Sequence, residues 1–139
     1  MGGGRTGDCG GGARALAELA AINAATLVVV MLETPQAISN AAAIAAVPGI
    51  DSLLVGTSDL SMELGIPGQL GDELIVDAYR AVIETCRAHG KHAGIGGVYE
   101  EGLMRRYVGM GARLVLGGAD LGFMTTAAAE RAKMLRDCR

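Results

Sequence analysis

Aromatic residues are almost missing from this chain, which has no tryptophan, one phenylalanine and three tyrosines in 139 residues. Basic residues are scattered, and Arg105-Arg106 is as long as any basic run becomes. Binding nucleic acid needs base stacking and phosphate neutralisation, so the sequence excludes that class of partner. Cysteine is also sparse. Cys9, Cys86 and Cys138 are odd in number and lack zinc-like or disulfide-framework spacing, so a reducing, cytoplasmic setting is expected. Long apolar runs are absent too. Residues 27–32 form a run of only six, and Glu18, Asn23 and Thr26 lie before them, so no membrane partner is expected. Met1-Gly2-Gly3-Gly4-Arg5-Thr6 fits a loose N-acylation pattern, with Cys9 available for a second chain. A glycine-rich loop after an initiator methionine explains the same residues.

What is present is an even apolar background. Half the residues are hydrophobic, 22 are glycine and the formal charge is −3, which describes one soluble globular domain. An acidic substrate would need a local cation, and a bound metal is the natural source.

Residues 1–12 are mostly glycine without apolar period and read as a flexible N-terminal segment, leaving residues 13–139 as the ordered domain. The spacing predicts a helix over 13–24 and a strand over 27–33 whose continuous apolar character suits burial on both faces. A helix over 35–47 follows, with Pro35 in its first turn, then a strand over 52–56 and a short helix near 58–64. A long helix over 72–89 is stopped by Gly90, and a strand over 92–96 precedes a helix over 100–110 stopped by Gly111. A strand over 113–117 and a helix over 119–136 complete four strand-helix units in strict alternation. That pattern is α/β with a parallel sheet, either doubly wound or part of a barrel. The first strand runs into Glu33-Thr34-Pro35 and not a G-x-G-x-x-G turn, which removes the best support for a dinucleotide fold. A complete barrel takes about 250 residues and eight units. The expectation is therefore half of a (β/α)8 barrel.

Adjacent parallel strands joined by a helix bring their C-terminal ends side by side. Glu33 and Asp59 each follow such a strand, so the two carboxylates can converge on one cation. Plainer roles stand beside this one: Glu33 as a cap or ion-pair partner, and Thr57, Ser58 or Asp59 as a helix N-cap. An all-oxygen donor pair is hard, favouring Mg²⁺ or Mn²⁺ over zinc. A 2-oxo acid would complete the coordination, its carboxylate held by the loop of Gly56, Thr57, Ser58 and Asp59. The cation would then act as a Lewis acid, stabilising an enolate. Lys91 and Lys133 are poorly placed for a Schiff base. His89 at a helix end and His92 at a strand start fall on the opposite, stability face, so neither is expected as a catalytic base. Gly94, Gly96, Gly97, Gly117 and Gly118 suit either phosphate binding or close packing. Asp120 is expected to cap the last helix, and Glu100 and Glu101 to complement the preceding helix dipole.

The segments V-V-M-L-E-T-P, P-G-I-D-S-L-L-V-G-T-S-D-L-S, L-G-I-P-G-Q, G-K-H-A-G-I and G-A-R-L-V-L-G-G-A-D, in this order, resemble the HpcH/HpaI aldolase and citrate lyase family. The likeness runs from about residue 13 to the C-terminus, and G-G-G-R-T-G resembles the end of a family loop. The resemblance implies a (β/α)8 barrel with a divalent metal, Mg²⁺ or Mn²⁺ with Co²⁺ as a substitute, held by Glu33 and Asp59. It implies pyruvate or oxaloacetate as the chelated 2-oxo acid, with its carboxylate on the backbone of Ser58 and Asp59. It also implies cleavage or formation of 4-hydroxy-2-oxo acids, and homo-oligomers that exchange the last helix. The family's base histidine and enolate-stabilising arginine belong to the first barrel half, so no residue here inherits those catalytic roles. Met31 stands where some members carry glutamine two positions before the metal-binding glutamate.

The leading expectation is a metal-dependent carbon-carbon lyase of the pyruvate class, impaired in isolation. A non-catalytic half-barrel assembly module and a phosphate-binding barrel fragment are the competing readings.

Overall fold

The computed structural model describes residues 10–138, so Cys9 and the acylation pattern lie outside the described residues. The first helix, α1 (Gly10–Ala25), begins inside the segment expected to be flexible. The first NH groups of a helix have no intrahelical partner to find, so an alanine- and leucine-rich stretch can extend backward over three glycines.

Strand β1 (Val29–Leu32) leads to two short helices, α2 (Pro35–Ser39) and α3 (Ala41–Ala45). The expected single helix over 35–47 is thus broken. Asn40 sits between the pieces at φ −92°, ψ 4°, its NH closing α2 on Gln36 and Ile38 while its carbonyl accepts from Ile44. Asparagine is a weak helix former, and no side-chain bond holds it in register.

Strand β2 (Ser52–Gly56) passes directly into α4 (Thr57–Glu63). Helix α5 (Glu73–Ala88) is capped by Asp72 and ends at His89, with Gly90 turning the chain at φ +64°. Strand β3 (His92–Gly96), helix α6 (Glu101–Met110), strand β4 (Leu114–Val115) and helix α7 (Asp120–Asp137) follow. Glu100 caps α6, accepting from Gly102 and Leu103 NH groups that hold its carboxyl below the usual range. With Glu101 in the first turn, both carboxylates stand at the N-terminal end of α6, where its dipole favours them, as expected. Asp120 is corrected: Ala119 is the N-cap of α7, and Asp120, inside the first turn, accepts only from Leu121 NH.

Among the described residues the strands form one parallel sheet in the order β1-β2-β3-β4. Register runs Met31, Leu54, Gly94, Leu114 across the sheet, and Leu32, Val55, Ile95, Val115 in the next row. There is no reversal of strand order, which a doubly wound sheet requires. Alternate residues point to opposite faces. One face, with Leu32, Leu53, Val55, Ala93 and Ile95, packs against Ala41 and Ala45 of α3, the apolar stripe of α5 and Tyr107 of α6. The other face is different. Met31 is 49% exposed and Leu116 is 45% exposed, so β1 is not buried on both faces as its sequence suggested. A run of apolar residues is compatible with either arrangement; on this second face the interior strands are closed, with Leu54 of β2 1% exposed, and the openness is confined to the sheet margins. β4 is shorter than expected because it pairs with β3 alone. Helices α1 and α7 are exposed along their described lengths, with Leu16, Leu19, Ile22, Leu121, Phe123 and Met124 facing outward. No described helix is long and apolar enough to cross a membrane.

Candidate metal and substrate site

Three strand ends meet at the C-terminal edge of the sheet. Glu33 follows β1, and its direction is set by what comes next: Thr34 is extended at φ −130°, caps α2 by accepting from Ala37 NH at 3.1 Å, and hands the chain to Pro35. Glu33 is half-buried. Its side chain fills the notch left by Gly56 at the end of the neighbouring strand. A Cβ at position 56 would stand 2.6 Å from Glu33 Cγ and 2.9 Å from Oε1. Gly56 has φ −80°, which any residue adopts, so glycine is needed there for space and not for backbone freedom.

Asp59 lies in the first turn of α4, two residues after Thr57. The N-cap of that helix is Gly56 and carries no side-chain cap bond, so capping is not what Thr57, Ser58 or Asp59 does. Thr57, Leu60 and Ser61 are buried, while Ser58 and Asp59 are exposed. Ser58 leans toward the end of β3, with its Oγ 3.4 Å from the Gly97 carbonyl, a long contact. A Cβ on Gly97 would meet Ser58 Oγ at 2.6 Å, and Gly97 turns at φ +77°. The geometry therefore gathers Glu33, Gly56, Ser58 and Gly97 at one sheet edge with Asp59 on the adjoining turn. Among the described residues neither Glu33 nor Asp59 joins an ion pair.

Oxygen donors on two carboxylates suit a hard cation, and among the described residues no three His, Cys, Asp or Glu side chains cluster. A cation here would draw on two carboxylates at most, leaving water or substrate oxygens to complete it, the habit of Mg²⁺. The notch that a Cβ would fill is the feature that fits such a role.

Other residues singled out in the sequence stand elsewhere. His92 opens β3 beside Leu27, Ser52, Arg113 and Leu114, at the opposite edge. His89 bonds through Nδ1 to the Thr85 carbonyl at 2.9 Å. Gly94 and Gly96 pack against Leu54, whose side chain a Cβ at 96 would meet at 2.6 Å. These two glycines serve close packing. Cys86 is buried in the core, and burial pushes its thiol up.

One contact beneath the site escaped the sequence. Thr57 Oγ1 and Tyr79 Oη lie 2.7 Å apart, both buried. The Tyr79 ring stacks on Tyr107, centroids 3.8 Å apart at 19°. Burial drives the Tyr79 hydroxyl far above the ordinary tyrosine range, so it remains protonated. Tyr79 falls in the α5 stripe with Ile75, Val76, Val82, Ile83 and Cys86, where periodicity marks it only as core. A polar-tipped ring among aliphatic side chains was the available signal.

Comparison with known proteins follows this geometry. The family model described as HpcH/HpaI aldolase/citrate lyase matches residues 4–127. The chain is 38% identical over 108 residues to 4-hydroxy-4-methyl-2-oxoglutarate aldolase tasA of Hapsidospora irregularis, covering 76% of this chain and 40% of that protein. It is 35% identical over 100 residues to hydroxypyruvate/pyruvate aldolase of Delftia acidovorans, covering 72% of this chain and 37% of that one. The crystal structure of HpcH/HpaI aldolase from Desulfitobacterium hafniense DCB-2 superimposes with a TM-score of 0.75 at 26% identity, over 87% of this chain and 47% of that one. The chain thus spans less than half the length of these relatives.

Proposed function

Because the chain belongs to the HpcH/HpaI aldolase/citrate lyase family, we propose that it supplies the metal-bearing half of a (β/α)8 barrel that makes or breaks a carbon-carbon bond in 4-hydroxy-2-oxo acids. Glu33 and Asp59 are the ligands of Mg²⁺ or Mn²⁺, and the loop Gly56, Thr57, Ser58 and Asp59 receives the substrate carboxylate. The observation that carries this reading is the fit of the Glu33 side chain into the Gly56 notch, directly before the turn that bears Asp59. When bound, the cation supplies Lewis-acid stabilisation for charge developing on the 2-oxo oxygen.

The chain's own residues supply orientation. Thr34 and Pro35 hold the backbone after Glu33, and Gly56 leaves its carboxylate room to reach toward α4. Ser61 Oγ donates to the Ser58 carbonyl at 2.7 Å and accepts from Gly68 NH at 3.2 Å, tying the first turn of α4 to the loop beyond it. The proton-transfer groups belong to the other barrel half. Missing general acid-base or charge-stabilising groups typically cost about 10²–10⁴-fold each, so turnover by this chain alone is expected to be poor. Pyruvate and oxaloacetate are the substrate class. Oligomers that exchange α7 agree with the outward-facing Leu121, Phe123 and Met124, and sedimentation of the full chain is expected to exceed a monomer.

Calorimetric titration of Mn²⁺ with and without oxalate tests the site. Oxalate-enhanced binding is expected in the wild type and lost in Glu33→Ala and Asp59→Ala. Undiminished binding in both variants would sink the assignment.

A further inference from the structure

The polar contact under α4 is costly to build and specific in its aim. A phenylalanine at position 79 would keep the stack on Tyr107 and avoid burying a hydroxyl. The tyrosine hydroxyl instead meets Thr57 Oγ1 at 2.7 Å, and Thr57 Oγ1 lies 3.4 Å from the Val55 carbonyl. With Tyr79 donating to Thr57 and Thr57 donating to Val55, the two hydroxyls satisfy one another in a fixed direction. Tyr107 is itself fixed, its hydroxyl donating to the Leu70 carbonyl in the segment between α4 and α5. The chain of contacts runs from that segment through two stacked rings to the first residue of α4, one position before Ser58 and two before Asp59.

We infer that Tyr79 is a positioning residue for the metal and substrate loop, acting through Thr57 to hold the first turn of α4, with Tyr107 as its support. The inference rests on the reading under Proposed function. Thr57 points into the core while Ser58 and Asp59 face out from the same turn, so freeing Thr57 lets that turn rotate and moves the Asp59 carboxylate relative to Glu33. Outer partners of this kind typically govern metal affinity by about 10–100-fold. Packing alone would behave differently, since it would move the unfolding midpoint and leave the affinity of the folded protein unchanged.

The test is Mn²⁺ titration in the presence of oxalate on the full chain, with urea unfolding run in parallel on each variant. Tyr79→Phe and Thr57→Val are each expected to bind about ten-fold more weakly while unfolding cooperatively, and the double variant no more weakly than either single one. Thr57→Ser restores the hydroxyl and is expected to bind as the wild type does. If Tyr79→Phe does not fold, Thr57→Val, which leaves the ring stack in place, makes the same comparison. Wild-type affinity in folded Tyr79→Phe and Thr57→Val would overturn the positioning role and leave the metal site standing. Absence of Mn²⁺ binding by the folded wild type would overturn the metal-site reading, and this inference with it.

Discussion

Leu53 and Met31 are apolar residues of similar bulk on adjacent strands of one sheet, yet Leu53 is 0% exposed and Met31 is 49% exposed. The difference lies in face and strand position together. Leu53 points to the side packed by α3, α5 and α6, while Met31 stands on the opposite face of the edge strand β1; Leu54, its partner on that face in the interior strand β2, is 1% exposed. The packed side carries the stability. On the opposite side lie Glu33, the Gly56 notch and the glycines of β3, Gly94 and Gly96, against which Leu54 packs. Division of labour across a sheet is common in barrels, where one end or layer holds the fold and loops at strand ends hold the chemistry.

The comparison breaks most visibly at Leu53. Leu53→Ala is expected to destabilise the chain by about 2–5 kcal/mol, read from urea unfolding, because the cavity opens in close-packed core. Gly56→Ala comes next. The added methyl must displace Glu33, so overpacking is expected to cost about 1–3 kcal/mol and the Mn²⁺ response is expected to fall as it does in Glu33→Ala. Met31→Ser sharpens the contrast from the other side, with a stability change expected within about 0.5 kcal/mol because the side chain has little packing to lose. A loss at Met31 as large as that at Leu53 would mean this margin of the sheet is covered in solution.

The packed face was legible in the sequence because its signals are local. Ser52–Gly56 and His92–Gly96 are strands with the bounds their composition suggests, and α5 and α6 end at the glycines that mark them. The misjudged elements depend on distant neighbours. Val29–Leu32 is apolar whether or not a layer covers its inner face, and the length of β4 depends on how many strands flank it. The break at Asn40 carried no glycine or proline to announce it. For the site, strand alternation was enough to bring the ends of β1 and β2 together, which made Glu33 and Asp59 candidates. The Gly56 notch and the Thr57–Tyr79 bond are relations between side chains from separate elements, invisible to spacing along the chain.

The Gly56 notch also has an evolutionary consequence. The glutamate side chain and the space left by a residue with no side chain share one volume, so neither position is expected to drift alone. Alanine at 56 forces the side chain at 33 into another rotamer or calls for one without a γ-carbon in that direction, because the tightest approach is to Cγ, an atom aspartate carries too. Among relatives that share this strand pair, the two positions are therefore expected to vary as a unit, each substitution surviving only in the company of the other.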